Sequence, residues 1–343
     1  MAARLTRINR IRPSVGIALI LTLCVSFFSI GSHASDTLSF FNREQQQPQS
    51  LTVMSWNLEW FGTPRVTRTD ADYAYFTDVI RRVSPDIIAF QEADSKEAVE
   101  RILPKGQYSL YLSDRHGKAS ESFRNSNQYT GFAIRQSLPV SDPKDIASLN
   151  IRTAPKSGER ARKGRLRYGT YVVVHPQSGT PIHLLSVHLK SGCYSSKISR
   201  QSASCRVLSY QAGVLKNWID QRLAAKESFL ISGDFNHRMA DSGDWLYRSL
   251  STASSSDRHS VQLLTKDVNA SCYVRLNRSK RKAEYRRYTA LIDHFVASAD
   301  IAYALRQGKV YQYPFSREDV RRLTLSDHCP LVLDIRLQPG SGL

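Results

Sequence analysis

Asp234 and Asn236 are the first residues in this sequence whose types and spacing could do chemistry. The short apolar run Phe229–Ile231 precedes them, and Ser232 and Gly233 lie between the run and Asp234. This pattern is expected where a buried β-strand ends. Because side chains alternate along a strand, the carboxylate and the amide face the same way. An anionic acceptor beside a neutral donor suits hydrolysis of a phosphate ester, in which a water is activated while charge on the phosphoryl oxygens is stabilised. Taken alone, these residues also fit an Asx turn that caps a strand.

Polar residues recur at the ends or starts of the other predicted strands. One such residue is more often a surface group, a cap or a satisfied histidine, but a set of them beside successive strands is harder to dismiss. The set consists of Asn57, Glu92, His188, Asp234, Asn236, Asp293, Asp327 and His328.

Alternating strands and helices must position these groups. Besides the strand before Asp234, the sequence predicts strands at Leu51–Asn57, Asp86–Glu92, Gly131–Ile134, Tyr168–His175, Ile182–His188, Ala290–Ala297 and Cys329–Ile335. It predicts helices at Asp70–Val83, Ser95–Leu103 and Ser204–Leu223. This order is an α/β signature, and no internal repeat or linker divides it.

The first 34 residues have the composition of a signal peptide. Four arginines up to Arg12 precede the apolar run Val15–Ile30, and small residues end at Ala34. The alternatives are a retained membrane anchor, for which the run is short, and a lipoprotein site at Cys24, which Leu23 disfavours. We therefore predict a signal peptide at 1–34, a flexible leader at 35–50, one domain at 51–337 and a tail at 338–343.

Export bears on the charge and on the cysteines. The 343-residue chain has a net charge of +18, and losing the four signal-peptide arginines leaves +14, which favours an anionic partner such as nucleic acid or an anionic membrane surface.

Four cysteines remain after residue 34 and allow three disulfide pairings. We predict Cys193 with Cys205, closing a polar loop, and Cys272 with Cys329. A zinc site is the alternative, but no close cysteine pair with histidine at ligand spacing supports it.

Two basic clusters are candidate phosphate contacts. One lies within Lys156–Arg167, which we predict as an exposed loop, and the other within Arg275–Arg287, where tyrosines are interleaved for base stacking. The candidate nucleic-acid-binding residues are Arg162, Lys163, Arg165, Arg278, Lys280, Arg281 and Lys282. The alternative is that each cluster is only a solvated loop.

The ordered set of motifs resembles the endonuclease/exonuclease/phosphatase superfamily, the deoxyribonuclease I-like fold. The matching motifs are Ser55–Leu58, Gln91–Glu92, Ser186–Leu189, Gly233–Asn236, Leu291–Asp293 and Ser326–Leu331, which together span almost all of 51–337. The resemblance implies an α/β fold, a four-layer sandwich of two mixed β-sheets packed face to face and flanked by helices. It also implies cleavage of phosphodiesters or phosphomonoesters with Mg²⁺ or Mn²⁺, with Ca²⁺ as a further candidate.

The resemblance assigns the metal ligands by position. Glu92 would be the main metal carboxylate, assisted by Asn57 and Asp327, because oxygen ligands suit a hard divalent cation. Tyr129 resembles a tyrosine that contacts phosphate in several members, with a packing aromatic as the alternative reading.

The resemblance also assigns catalytic roles. His328 matches the catalytic histidine, oriented by Asp293, whose carboxylate should raise the pKa of the imidazole. Asp234 would orient or activate the attacking water, while Asn236 and His188 would hydrogen-bond the phosphoryl oxygens.

Two departures from the family pattern affect the substrate. Asp94 stands where pancreatic-type deoxyribonucleases have a DNA-contacting arginine, and His188 stands where abasic-site endonucleases usually have asparagine. We expect a monomeric, secreted or periplasmic nuclease that hydrolyses DNA, with RNA as a second substrate class.

The alternatives are a phosphomonoesterase and a secreted phospholipid phosphodiesterase of the sphingomyelinase type. The latter would insert Trp60–Phe61 or the Tyr311–Phe315 stretch into a bilayer. A non-enzymatic binding protein is disfavoured, because it would not need Glu92, Asp234 and His328 together.

Overall fold

The computed structural model describes residues 49–337, except 124–125, 154–161, 165–166, 196, 199–201, 252–260 and 277–283. The predicted signal peptide and tail lie outside the described residues, as does most of the predicted leader. The first strand begins at Gln49, two residues before the expected start of the domain at Leu51. Within the described ranges, no helix has the length and apolar character needed to cross a membrane.

The chain alternates between strands and helices from end to end. The strands are β1 Gln49–Phe61, β2 Ile87–Ala93, β3 Tyr108–Leu112, β4 Tyr129–Arg135, β5 Val140–Ser141, β6 Ile151–Thr153, β7 Arg162–Lys163, β8 Thr170–Val174, β9 Ile182–His188, β10 Ser228–Asp234, β11 Gln262–Leu263, β12 Cys272–Leu276, β13 Glu284–Tyr288, β14 Asp293–Ala297, β15 Lys309–Gln312 and β16 Leu331–Leu337. The helices are α1 Asp70–Val83, α2 Lys96–Glu100, α3 Ala203–Ala224, α4 Trp245–Ser251, α5 Ala299–Ala304 and α6 Arg317–Arg322, with short 3₁₀ turns at Ala119–Glu121, Ala147–Leu149 and Leu305–Gln307.

Two six-stranded mixed sheets form the centre of the fold. Their strand orders are β15-β16-β1-β2-β4-β3 and β11-β14-β10-β9-β8-β5. Each sheet contains one parallel pair, β1 with β2 and β9 with β10, among antiparallel neighbours. A parallel pair needs a crossover, and α1 and α3 supply the two crossovers. The predicted pair of mixed sheets is confirmed.

The side-chain alternation of the strands builds the four layers. Val53 in β1 and Leu230 in β10 point into the core between the two sheets. Their neighbours Met54 and Ile231 point to the opposite faces, where Met54 packs with residues of α1 and Ile231 with residues of α3. The order of layers is therefore helix, sheet, sheet, helix, as predicted.

The start of α1 ties the first crossover to the C-terminal part of the fold. Thr69 and Asp72 form a capping box, in which the Thr69 hydroxyl accepts from Asp72 N and Asp72 Oδ2 accepts from Thr69 N. The other carboxylate oxygen of Asp72 accepts from Thr324 N at 2.7 Å. This contact fixes the segment that leads to Asp327 and His328.

Most predicted elements are present with adjusted ends. The predicted helix Ser204–Leu223 is α3, whereas Ser95–Leu103 shortens to α2. The prediction of an exposed loop over 156–167 is wrong at Arg162–Lys163, because these two residues form β7 and pair with β6. Both predicted disulfides are present, Cys193–Cys205 and Cys272–Cys329.

Candidate active site

The polar residues predicted to do chemistry meet at one end of the two sheets. Asn57 and Glu92 come from β1 and β2 of the first sheet. His188, Asp234 and Asp293 come from β9, β10 and β14 of the second, where Asp234 pairs with both His188 and Asp293. Asp327 and His328 lie in the turn before β16. The strand-end positions noticed in the sequence are therefore neighbours in space.

Asp234 lies at the centre of this group. Its Oδ2 accepts from Asn57 Nδ2 and from Asn236 Nδ2, each at 3.0 Å, and lies 3.2 Å from His188 Nε2. Its Oδ1 accepts from the backbone N–H of Asn236 at 2.7 Å. Four donors therefore hold one buried carboxylate in a single orientation.

Backbone constraints around Asp234 explain the residues beside it. Gly233 has φ +138°, and a Cβ there would lie 2.1 Å from Val187 O, so only glycine allows β10 to approach β9 this closely. Asn236 has φ +52°, a left-handed conformation that asparagine tolerates better than most residues. The result is that the Asn236 amide turns back onto Asp234.

Glu92 also occupies a left-handed conformation, with φ +60°. The pairing of β2 with β4 shifts register between Phe90 and Ala93, which directs the Glu92 side chain into the site. Its Oε2 accepts from Trp60 N at 2.9 Å, and its Oε1 lies 3.3 Å from Asn57 Nδ2 and 3.5 Å from His188 Nε2. A bulky residue held at positive φ is a strained feature of the kind that clusters at functional sites.

The electrostatics keep both carboxylates ionised and His188 neutral. Burial alone would raise the pKa of Asp234, but the nearby His188 and His328 and the donated hydrogen bonds outweigh it and lower that pKa. Burial also raises the pKa of Glu92, but the charges of His188 and Arg167 and the hydrogen bond from Trp60 N outweigh it, so the pKa of Glu92 is lowered overall. Burial, reinforced by the charge of Arg167, lowers the pKa of His188.

His328 and Asp293 form an ion pair beside Asp234. His328 Nδ1 donates to Asp293 Oδ2 at 2.7 Å, and His328 Nε2 lies 3.9 Å from Asp234 Oδ2. Burial opposes the charged imidazole, but Asp293 and Asp234 raise the pKa of His328 well above its usual value. Burial raises the pKa of Asp293 to about 6, although His328 acts against this. At neutral pH the pair is therefore imidazolium and carboxylate.

The turn that carries His328 is pinned to the end of β1. Ser326 Oγ donates to Asn57 O at 2.6 Å and accepts from His328 N at 3.0 Å. Trp56 Nε1 donates to His328 O at 3.1 Å, and Asp327 N donates to Glu59 Oε2 at 3.0 Å. The backbone of His328 is therefore held in place by Trp56, which lies 272 residues earlier in the sequence.

The charge of this centre fits a divalent cation, because its carboxylates outnumber its cations. The carboxylates are Glu92, Asp234, Asp293 and Asp327, and the cations are His328 and Arg167. Asp234, Asp293 and His328 offer ligand atoms within 4.8 Å of one another. Mg²⁺ and Mn²⁺ favour oxygen ligands. Glu92 adds a further carboxylate that could hold such an ion, because His188 Nε2 lies within 3.5 Å of both Glu92 and Asp234.

Asn57 and Asp327 contribute to such a site in different ways. Asn57 Oδ1 accepts from Glu59 N at 3.0 Å, and because a backbone N–H can only donate, this contact sets the orientation of the amide. The remaining lone pair of Oδ1 is what Asn57 offers a cation. The Asp327 side chain is 42% exposed, and its Oδ1 lies 4.0 Å from His328 Nε2.

The other predicted site residues have different surroundings. Tyr129 pairs with Ala93 beside Glu92, but its hydroxyl donates to Ser122 and its ring lies under the Arg115 guanidinium, 4.1 Å from the centroid. Arg162 and Lys163 form β7, which pairs with β6 in a separate two-stranded sheet and not with the strands that carry the site. Arg165, Arg278, Lys280, Arg281 and Lys282 lie outside the described residues.

Arg167 is a site residue that the sequence reasoning missed. It is the last residue of the basic cluster Lys156–Arg167, but its charge acts on both Glu92 and Asp234. Its guanidinium donates to Leu189 O at 3.1 Å and to Gln128 Oε1 at 2.7 Å, and burial lowers its pKa. The available signal was its position directly before the predicted strand Tyr168–His175, like the other polar groups at strand ends.

Comparisons with known proteins agree with this geometry. The model of the Endonuclease/Exonuclease/phosphatase family matches residues 54–328. Truncated TDP2 from Caenorhabditis elegans is 17% identical over 84% of this chain and 98% of its own, with a TM-score of 0.56. An endonuclease/exonuclease/phosphatase family protein from Bacteroides thetaiotaomicron is 14% identical over 87% of this chain and 98% of its own, with a TM-score of 0.52.

A third similar structure is TDP2 from D. rerio, complexed with single strand DNA product. It is 16% identical over 83% of this chain and 98% of its own, with a TM-score of 0.50. No curated protein matches the chain in sequence. At these identities the solved structures establish a shared fold.

Proposed function

The chain belongs to the endonuclease/exonuclease/phosphatase family, and from this premise we propose that it is an exported, divalent-metal-dependent phosphodiesterase that hydrolyses nucleic acid. DNA is the first substrate class and RNA the second, and the active species is a monomer. The observation that carries the proposal is the contact between two units of the site. These are the His328–Asp293 ion pair and the carboxylate of Asp234 with its amide partners, and His328 Nε2 lies 3.9 Å from Asp234 Oδ2.

The proposed chemistry begins with a water held by Asp234. A carboxylate with a lowered pKa is a weak base, so its role is to orient the water by accepting a hydrogen bond. The donors now directed at Asp234, from Asn236 and from neutral His188, lie where they can also bind phosphoryl oxygens. This arrangement lines up nucleophile and phosphate in one place.

Protonated His328 supplies positive charge opposite Asp234. Its Nδ1–H donates a hydrogen bond to Asp293, so the Nε2–H can donate to the phosphate. As the water oxygen bonds to phosphorus and the bond to the departing oxygen breaks, His328 passes its Nε2 proton to that oxygen. The proton released by the attacking water leaves to solvent, and solvent protonates His328 again. Arg167 adds a fixed charge behind Glu92.

Glu92, with Asn57 and Asp327, would hold the divalent cation. When bound, the cation supplies charge that stabilises the phosphoryl oxygens as they become more negative. The bent backbone at Glu92 and the Trp60 N–H keep the carboxylate directed into the site.

The phospholipid alternative is weakened by the packing of one phenylalanine in each candidate membrane loop. Phe61 is fully buried in the core beneath α1, and Phe315 is 4% exposed. Neither ring can enter a bilayer without unfolding its surroundings. The D. rerio relative with bound single strand DNA product supports a nucleic-acid substrate on the same fold.

Export is supported by the disulfides. Cys193–Cys205 and Cys272–Cys329 would persist in an oxidising compartment, such as the periplasm or the outside of the cell. The basic amino-terminal segment with its apolar run is consistent with this location.

A plasmid-nicking assay on the purified mature protein tests the proposal. We expect nicking with Mg²⁺ or Mn²⁺, none with chelator, and losses of at least about 10²-fold in Asp234→Asn and His328→Ala. Asp220→Asn is the matched control, because Asp220 lies on α3 in a surface pair with Lys216. Wild-type activity in both site variants refutes the site. Turnover of sphingomyelin without nicking refutes the nuclease.

A further inference from the structure

A cavity of about 420 Å³ opens directly beside the proposed reaction centre. One side of it is formed by Asn236, Asp293 and His328, which we have placed in the chemistry. Its volume is within the range of about 300–1,000 Å³ that is typical of small-molecule sites. One of the two groups attached to a phosphate held by His328 therefore has room to extend into this cavity.

Two exposed tyrosines line the part of the cavity that the chemistry does not use. Tyr194 is 49% exposed and Tyr288 is 36% exposed, and they are two of the five large apolar side chains that stand out as exposed among the described residues. Tyr273 and Tyr285 on the same hairpin behave differently, because they stack on each other with centroids 6.2 Å apart. Tyr194 and Tyr288 instead present partly exposed rings to the cavity, and the Arg286 guanidinium lies 5.9 Å from the centroid of the Tyr288 ring.

Each tyrosine is attached to a wall that a disulfide holds. Tyr194 follows Cys193, which is bonded to Cys205, and the Cys193 carbonyl lies 2.5 Å from the buried His237 Nδ1. The other nitrogen of His237 lies 2.6 Å from Asp244. A ligand site whose walls are already ordered loses less entropy when it binds.

The second wall is tied to the reaction centre itself. Tyr288 pairs with Cys272 across the β12–β13 hairpin, and Cys272 is bonded to Cys329, the residue after His328. The position of the Tyr288 ring is therefore coupled to the position of the catalytic imidazole.

Two polar side chains complete the cavity. Gln312 Oε1 accepts from Ser271 N at 2.8 Å, which directs the amide oxygen away and leaves its N–H groups to donate to a ligand. The exposed side chain of Arg238, two residues after Asn236, also lines the cavity. Together they provide amide donors and a positive charge.

We propose that this cavity is a nucleobase subsite, which takes an unpaired base next to the phosphate that is cleaved. Flat rings stack on tyrosine faces, the Gln312 amide matches acceptors on a base edge, and Arg238 suits a neighbouring phosphate. A paired base is held in the duplex stack and would have to leave it first, so single strands are the preferred substrate. This inference rests on the proposed function, whose substrate class it narrows.

A choline headgroup is the competing occupant, because tyrosines also bind quaternary ammonium groups. Arg238 and His328 line the cavity together with the carboxylates of Asp293 and Asp327, so the charge of the lining does not separate the two occupants. The Gln312 N–H groups do, because a base edge has acceptors for them and a quaternary ammonium group has none. The structure therefore favours a base over a choline group, and sphingomyelin serves as one arm of the test.

The test compares two single-stranded ligands of equal length and charge, octathymidylate and the same sugar–phosphate backbone without bases. Binding is measured by fluorescence anisotropy with Mn²⁺ in the Asp234→Asn background, and cleavage is measured in the otherwise wild-type protein. We expect about tenfold tighter binding and a correspondingly lower KM for octathymidylate. Tyr288→Leu and Tyr194→Leu should remove this advantage, and Tyr288→Phe should keep it.

Tyr303→Leu is the matched control, because Tyr303 is 60% exposed on α5 and does not line the cavity. Equal affinity for the two ligands, or an advantage unchanged in both leucine variants, overturns the subsite even if DNA is cleaved. Base-dependent binding without any cleavage overturns the proposed function and leaves the subsite standing. Sphingomyelin turnover that depends on Tyr194 and Tyr288 assigns the cavity to choline and overturns the inference.

Discussion

Replacing Asp293 by asparagine should remove most of the activity while preserving the fold. Asp293 Oδ2 accepts from His328 Nδ1 at 2.7 Å, and the side chains of Asp293 and His328 are only 9% and 14% exposed. Asparagine has nearly the same shape but no charge. Its amide can also present an N–H to Nδ1, which favours the wrong tautomer of the imidazole.

The structure sets the scale of this effect. With about 4 Å between the charge centres and an effective dielectric constant of about 20, the ion pair is worth about 4 kcal/mol in favour of the imidazolium. Without it, the burial that already opposes the charge lowers the pKa of His328. A positioned acid contributes about 10²–10⁴-fold to the rate, so kcat should fall by that factor.

The pH dependence supplies a second, independent readout. In the wild-type protein the raised pKa of His328 keeps the imidazole protonated through neutral pH, so activity is lost only on the alkaline side. The Asp293 carboxylate has a pKa of about 6, so activity also falls as the pH drops through that value and the ion pair is lost. In Asp293→Asn the alkaline limb should move to lower pH, and the limb near pH 6 should disappear.

The assay is a profile of kcat against pH for both proteins on one phosphodiester with saturating Mn²⁺. Near-ultraviolet circular dichroism checks that the fold is retained, and Asp220→Asn serves again as the surface control. A variant with wild-type kcat and an unmoved alkaline limb would show that Asp293 does not act through the charge of His328.

Two further predictions concern the framework of the site. Gly233→Ala should destabilise the protein by several kcal/mol in urea or thermal unfolding, because its Cβ would lie 2.1 Å from Val187 O. Gly213→Ala is the control, since no heavy atom lies within 4 Å of a Cβ there and alanine should stabilise α3 by about 0.5–1 kcal/mol. Burial lowers the pKa of His294 from 6.5 to about 4, so the folded state resists its protonation. Its contribution to the free energy of unfolding is complete above pH 6.5 and should fall by about 3 kcal/mol by pH 4, and His294→Gln should flatten this part of the urea-unfolding profile.

Local sequence patterns predicted the alternating strands and helices and the polar residues at the strand ends, whereas the two mixed sheets were implied by the family resemblance. The alternation around Val53 and Leu230 encodes two buried faces, and hydrophobic burial favours strands that place those faces together. The polar residue that ends such a strand must then lie at the sheet edge. For this reason Glu92, Asp234 and His188 could be grouped from the sequence before their contacts were known.

The sequence could not distinguish residues whose role depends on contacts distant in the chain. Arg167 looked like one more charge in a basic loop, and only its position in the folded chain, where its charge acts on Glu92 and Asp234, separates it from that loop. Tyr288 looked like one of three interleaved tyrosines, yet Tyr273 and Tyr285 stack together while Tyr288 faces the cavity. Such differences arise from pairing and packing between segments, which leave no periodic trace in the sequence.

By itself, then, the sequence determined the fold class, the strand-end residues and the family resemblance, because short-range patterning and residue type carry that information. The tertiary structure alone decided that Asn57 joins Glu92 to Asp234 through its amide, and that Glu92 sits at positive φ. It also decided that the Cys272–Cys329 bond couples His328 to a tyrosine-lined cavity. These features depend on the relative placement of strands far apart in the chain, which only the folded core sets.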